Sequence, residues 1–152
     1  MQLKSNAFEH NTTIPAKYTC QGAGINPPLV INGVPQGAVS LALICDDPDA
    51  ATDPNGPGTT FDHWLLWNIP PQLGEIGENS HPQSATIGNN STDTPEYMGP
   101  CPPTGTHRYF FRLYALDTEL DLPQGSDKET LEDALAGHVL AQTELIGVYQ
   151  KT

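Results

Sequence analysis

The chain has 152 residues, a length that suits one domain, here taken as 1–152. Its 18 acidic and 6 basic residues give a formal net charge of -12, which repels a phosphate backbone and argues against nucleic acid or an anionic membrane as partner of the surface as a whole. No stretch approaches the roughly 18 uninterrupted apolar residues of a membrane helix. The 14 glycines and 15 prolines, without a collagen-like period, favour many short strands joined by shaped loops.

The N-terminal Met1-Gln2-Leu3-Lys4-Ser5-Asn6 lacks an apolar leader segment, so a cytoplasmic location is expected unless a leader has been removed. Leu29-Val30-Ile31 is a short apolar run closed by the turn pair Asn32-Gly33. Residues 39–45 (VSLALIC) are apolar enough for a central strand. His63 to Ile69 (HWLLWNI) predicts another, ended by Pro70-Pro71. Residues 72–98 read as long polar loops with one short strand near Ala85-Thr86-Ile87. His107 to Leu116 (HRYFFRLYAL) is the strongest strand signal, long and aromatic. Ser126 and Glu129 fit a capping box at the head of a helix carrying Leu131, Ala134 and Leu135 and closed by Gly137. A helical turn is expected at Val139-Leu140-Ala141 and a last strand from Thr143 to Gln150. The sum is a mainly β chain, a sandwich of two sheets with one or two helices near the C-terminus.

Three cysteines, Cys20, Cys45 and Cys101, give an odd count without CxxC spacing. This argues against a disulfide framework and a zinc ribbon; one disulfide stays open, and buried free thiols are the expectation.

Side chains on a strand alternate faces. By that rule Asp47 continues the parity of Leu41, Leu43 and Cys45; His63 shares the face of Leu65, Trp67 and Ile69; His107 and Tyr109 share that of Phe111 and Leu113. All lie at strand ends on faces otherwise buried, which is how a half-buried polar pocket forms at the rim of a sandwich. The stiff loop Gly99-Pro100-Cys101-Pro102-Pro103 delivers His107 and leaves a few backbone N–H groups free to meet a ligand. Two imidazoles can each donate an N–H to an anion, and Asp47 can fix the tautomer of one ring. Binding is then expected to tighten as pH falls through roughly 6 to 7. The plainer readings are an Asx turn for Asp47, surface or helix-end roles for His10, His81 and His138, and core packing for Trp64 and Trp67. No HxH or HExxH spacing supports a metal, and no cofactor motif is present.

The blocks Ile14-Pro15-Ala16-Lys17-Tyr18-Thr19-Cys20, Asn26-Pro27-Pro28-Leu29, Asp46-Asp47-Pro48-Asp49-Ala50, His63-Trp64-Leu65-Leu66-Trp67-Asn68-Ile69-Pro70, Gly99 to Pro103, His107-Arg108-Tyr109 and Leu145-Ile146-Gly147-Val148-Tyr149 run in order nearly end to end. In them the chain resembles the phosphatidylethanolamine-binding protein family, most closely its bacterial and archaeal Raf-kinase-inhibitor-like branch. The resemblance implies a Greek-key β-sandwich of two antiparallel sheets with a small anion pocket at one end. It places Asp47, Asp49, His63, Gly99, Cys101, Pro102, His107 and Tyr109 at that pocket. It implies a small phosphorylated or carboxylated ligand, regulation or inhibition of a kinase or protease in some members, and a homodimer by analogy with prokaryotic relatives. No catalytic cycle is general to the family, so a binding module is expected rather than an enzyme; the alternative is a weak hydrolase using Asp47, His63 and His107. The chain departs from the family where Ala50-Ala51 replaces Ala-Pro, in the Gly/Pro-rich stretch 52–60, and in the polar stretch 88–98.

Overall fold

A computed structural model describes residues 1–152. In chain order the strands are β1 (Gln2–Lys4), β2 (Thr12–Thr13), β3 (Leu29–Asn32), β4 (Ser40–Asp47), β5 (Phe61–Ile69), β6 (Glu75–Ile76), β7 (Thr86–Ile87), β8 (His107–Leu116) and β9 (Val139–Tyr149). The helix α1 spans Lys128–Leu135, and short 3-10 turns cover Ala16–Tyr18 and Pro48–Ala51. A small sheet runs β1-β3-β6 and a large one β2-β9-β8-β4-β5-β7. Neighbours are antiparallel except β2, which lies parallel to β9. After the long connection from β5, β8 returns to lie against the far edge of β4, the crossover that makes a Greek key.

Alternation decides what lies between the sheets. Leu41, Leu43 and Cys45 of β4 face inward with Tyr109, Phe111, Leu113 and Ala115 of β8, against Leu3, Leu29 and Ile31 of the small sheet. Each fully buried side chain of this kind contributes roughly 1.5–3 kcal/mol. The opposite face of the large sheet, with Ala42, Ile44, Leu65 and Trp67, packs under Leu131 and Leu135 of α1. On that outer face Asp46 pairs across the strands with Asp62, a like-charge pair that destabilises a ladder. Lys128 resolves it: its Nζ lies 3.2 Å from Asp46 and 2.8 Å from Asp62, so the first residue of α1 also anchors the helix. Gly147 lets the N-terminal segment close on β9, since a Cβ there would sit 2.4 Å from Ile14 Cγ1.

Two sequence expectations change. The helix is capped by Asp127, whose side chain accepts from the Thr130 N–H, while Ser126 Oγ donates to Pro123 instead. Residues 139–141 are strand, not a helical turn: β9 begins at Val139. Val139 and Leu140 are exposed, and two adjacent apolar residues on a little-covered strand end carry no alternation to read.

Candidate functional site

The site forms where β4, β5 and β8 end together. Asp47 closes β4 and caps the turn that follows. Its Oδ1 accepts from the Asp49 and Ala50 N–H groups at 2.9 and 3.2 Å, so the Asx-turn reading holds. Its Oδ2 lies 2.6 Å from His107 Nδ1, across 60 residues of chain. Alternation along β8 puts His107 and Tyr109 on the inner face, where both are buried.

His63 arrives differently. In the pairing of β4 with β5, Asp46 faces Asp62 but Cys45 faces Trp64, so His63 is an extra residue, a β-bulge. A second irregularity lies between Leu66 and Ile69, where Asn68 has φ 54°. These bulges break the expected parity: Leu65 and Trp67 face the outer core, whereas His63 joins Phe61 and Tyr109 on the pocket side. Strict alternation has no place for the extra residue.

A cavity of about 220 Å³ is lined by Asp47, Ala50, Phe61, His63, Cys101, Pro102, Pro103, His107 and Tyr109, with Asn55, Gly56 and Pro57 of the 52–60 stretch at its rim. The structure thus brings six of the eight expected site residues to one cavity. Asp49 turns away and binds Arg108 through both oxygens. Gly99 packs on the backbone of Tyr18 and Thr19, where a Cβ would come within 2.7 Å of the Tyr18 oxygen. Ala51, where the family has proline, is exposed and outside the cavity wall.

The cysteine expectation is corrected. Cys20 and Cys101 form a disulfide with Cα atoms 5.4 Å apart, and only Cys45 is a buried free thiol. The bridge fastens the proline loop to the 3-10 turn at Ala16–Tyr18. Hydrogen bonds from Cys20 N–H to Pro100 O and from Tyr97 Oη to Tyr18 O hold the same contact. The two cysteines are 81 residues apart, and spacing carried no sign of the pairing.

The ring nitrogens set the chemistry. His63 Nδ1 lies 2.6 Å from the Met98 carbonyl, which can only accept, so Nδ1 carries the proton and Nε2 presents a lone pair. Burial pushes the His63 pKa down to about 4 against the opposing pull of Met98 O, so the ring is neutral at ordinary pH. His107 lies between two carboxylates, with Nδ1 on Asp47 and Nε2 2.8 Å from Asp53 Oδ2. Burial works to lower its pKa, but the hydrogen bonds to Asp47 and Asp53 prevail and raise it, which favours the imidazolium. Burial lifts the Asp47 pKa from the usual carboxylate value, and His107 restrains the rise.

The expectation that both histidines donate to an anion therefore changes. His107 spends both N–H groups on carboxylates, and His63 offers an acceptor. The donors that remain are the Cys101 N–H, which makes no bond within the chain, and the Tyr109 hydroxyl, which is buried near Asp47 but makes no well-formed hydrogen bond. Burial, with Asp47 nearby, raises the Tyr109 pKa well above the tyrosine range, so the hydroxyl keeps its proton. Asp53 was missed in the sequence. Asp53-Pro54-Asn55-Gly56 reads as turn chemistry, and nothing local shows that its carboxylate reaches a histidine 54 residues away.

Comparison with known proteins gives a match to the family described as phosphatidylethanolamine-binding protein over residues 4–150. A UPF0098 protein of Methanothermobacter thermautotrophicus is 49% identical over 156 residues, covering 99% of both chains. A crystal structure of a putative phosphatidylethanolamine-binding protein homologue from Chlamydia trachomatis superposes with a TM-score of 0.91 at 41% identity, covering 99% of this chain and 97% of that one. Escherichia coli YbcL, described as a new member of the mammalian family, superposes with a TM-score of 0.89 at 26% identity, covering 99% and 98%.

Proposed function

The chain belongs to the phosphatidylethanolamine-binding protein family, and on that premise we propose that it binds a small phosphorylated or carboxylated ligand in the cavity between the ends of β4, β5 and β8. The observation that carries this reading is the Tyr109 hydroxyl, buried at the cavity wall without a partner. A buried unpaired polar group costs about 1–3 kcal/mol, and a ligand oxygen placed against it removes that cost. The Cys101 N–H is a second donor. His63 Nε2 accepts, so the best guest is an oxyanion that keeps one proton: two oxygens take the donors and one O–H points at Nε2. A fully ionised phosphate lacks that O–H, so affinity falls as pH rises past the second ionisation of a phosphomonoester, about 6. The direction of the pH effect matches the sequence expectation; the proton that matters sits on the ligand, not on a free imidazole. Asp47 acts by holding His107 and the Pro48–Ala51 turn in place.

Binding is favoured over turnover by the state of the reactive groups. Both nitrogens of His107 are engaged, and Asp47 is spent on His107 and the turn it caps, which leaves His63 Nε2 as the one free base of the hydrolase alternative and no activated nucleophile beside it. A regulatory role toward a kinase or protease rests on the family alone and would use the exposed rim at 52–60. No helix is long and apolar enough to cross a membrane. A reducing cytoplasm keeps most disulfides open, so the redox state of Cys20 and Cys101 in cells is a direct check on location.

The test is calorimetric titration of inorganic phosphate at pH 6 into the wild-type protein and Tyr109→Phe. Saturable binding that weakens about 5- to 30-fold in the variant is expected, the worth of one hydrogen bond to a charged group. Equal affinity in both would overturn the assignment of Tyr109 to the ligand, and no saturation in the wild type would overturn the reading itself.

A further inference from the structure

The two donors His107 Nε2–H and Thr104 N–H meet on one oxygen: Asp53 Oδ2 lies 2.8 Å from the first and 3.0 Å from the second. Converging donors of this kind are how proteins hold phosphate and carboxylate oxygens. Here the chain's own carboxylate has taken the place. The Asp53 side chain is only 2% exposed, although Pro54, Asn55, Pro57, Gly58 and Thr59 that follow it are exposed. Its loop belongs to neither sheet; short turn bonds, such as Gly56 N–H to Asp53 O at 2.9 Å, Asp53's side-chain bonds and a 2.7 Å bond from Asn55 Nδ2 to Thr104 Oγ1 hold it.

His107 borders both spaces: the cavity of about 220 Å³, with Asp47 on its Nδ1, and an outer cleft of about 400 Å³ shared with Asp53, on its Nε2, and Thr104. Arg108, exposed and bound to Asp49, also borders the cleft. An oxyanion arriving from the cleft would find both donors beside a cation once Asp53 has moved aside.

We propose that His107 Nε2–H and the Thr104 N–H form a second oxyanion subsite, on the cleft side of His107, for a phosphate or carboxylate group, and that the Asp53 carboxylate fills this subsite until such a ligand displaces it. The proposal rests on the reading of the cavity as a ligand site and adds to it where a further oxyanion is held and what competes for it. Against the cost of burial, which acts to raise its pKa, hydrogen bonds from Asn55 N–H, His107 and Thr104 hold the Asp53 carboxyl below its usual range, so the occupant is itself an anion. An occupant tethered by a short loop competes at a high effective concentration, so wild-type affinity is reduced by the fraction of molecules in which the subsite is closed.

The experiment is calorimetric titration of phosphate, and separately of acetate, into the wild type, Asp53→Ala and Asp53→Asn, with thermal melts to verify folding. Asp53→Ala is expected to bind phosphate at least 10-fold more tightly than the wild type, with Asp53→Asn in between and acetate following the same order. In the wild type, phosphate is expected to shift the NMR resonances of the Thr104 amide and of the Asn55 amide, which donates to Asp53 Oδ1. Equal or weaker binding by the variants, with a saturable wild type, overturns the subsite and leaves the cavity reading standing. Failure of all three proteins to bind overturns both. Should the variants not fold, unmoved Thr104 and Asn55 amides in a phosphate-saturated wild type overturn the subsite alone.

Discussion

Asp47 and His107 share a 2.6 Å contact in which each side chain is about 95% buried, and the aspartate's second oxygen caps the turn beside it. One carboxylate thus joins the end of β4, the start of β8 and the Pro48–Ala51 turn. Removing one partner of a buried pair costs about 3–5 kcal/mol, because the other is left uncompensated. Asp47→Ala is therefore expected to lower the melting temperature by roughly 6–20 °C, at 2–4 °C per kcal/mol for a chain of this size. Differential scanning calorimetry checks this; a melt within 2 °C of wild type would show that Asp53 alone satisfies His107.

Stability should fall on both sides of neutrality for separate reasons. The folded His63 pKa, about 4, lies below that of an unfolded histidine, about 6.5. Its contribution is complete above pH 6.5 and is lost as pH drops toward 4, by on the order of 3 kcal/mol. His107 has a raised folded pKa, so its contribution is complete below about 6.5 and is lost as pH climbs through the raised value. Urea unfolding between pH 4 and 9 should show both limbs. His63→Gln should flatten the acid limb and leave the alkaline one; an unchanged acid limb would place the proton uptake on another group.

Tyr109→Phe separates a ligand-facing hydroxyl from a structural one. Without ligand the hydroxyl has no partner to lose, so the variant is expected to unfold within about 0.5 kcal/mol of wild type or to be slightly more stable. A loss above 1.5 kcal/mol in ligand-free urea melts would show that the hydroxyl already serves the fold, through Asp47 or a bound water.

The Cys20–Cys101 bridge closes a loop over 81 positions of sequence. Loop-closure entropy puts its contribution at about 4 kcal/mol. Reduction with a phosphine should lower the melting temperature by roughly 8–16 °C. Cys101 lines the cavity, so reduction should also weaken phosphate binding by the wild type and leave that of Cys20→Ser, which already lacks the bridge, unchanged. Identical melts with and without reductant would show that the bridge is not formed in solution.

How much of this was legible depended on whether a signal was local. The alternation in residues 107–116 gave β8 its limits and put His107 and Tyr109 on the inner face. Asp47 was legible as the polar end of an apolar strand. The bulge at His63 was not, because an inserted residue leaves composition unchanged while it reverses facing. The two- and three-residue strands β1, β2 and β6 are too short for any period to show. Asp53 and the disulfide were invisible for a shared reason: each is a contact across more than 50 residues made from a loop that reads as a turn.

The account is tested most directly by a crystal structure of the protein grown with phosphate near pH 6. It predicts a phosphate in the cavity within hydrogen-bond distance of Tyr109 Oη and the Cys101 nitrogen, with His63 Nε2 facing a phosphate oxygen. A cavity holding only water, with phosphate bound elsewhere on the surface, would contradict it.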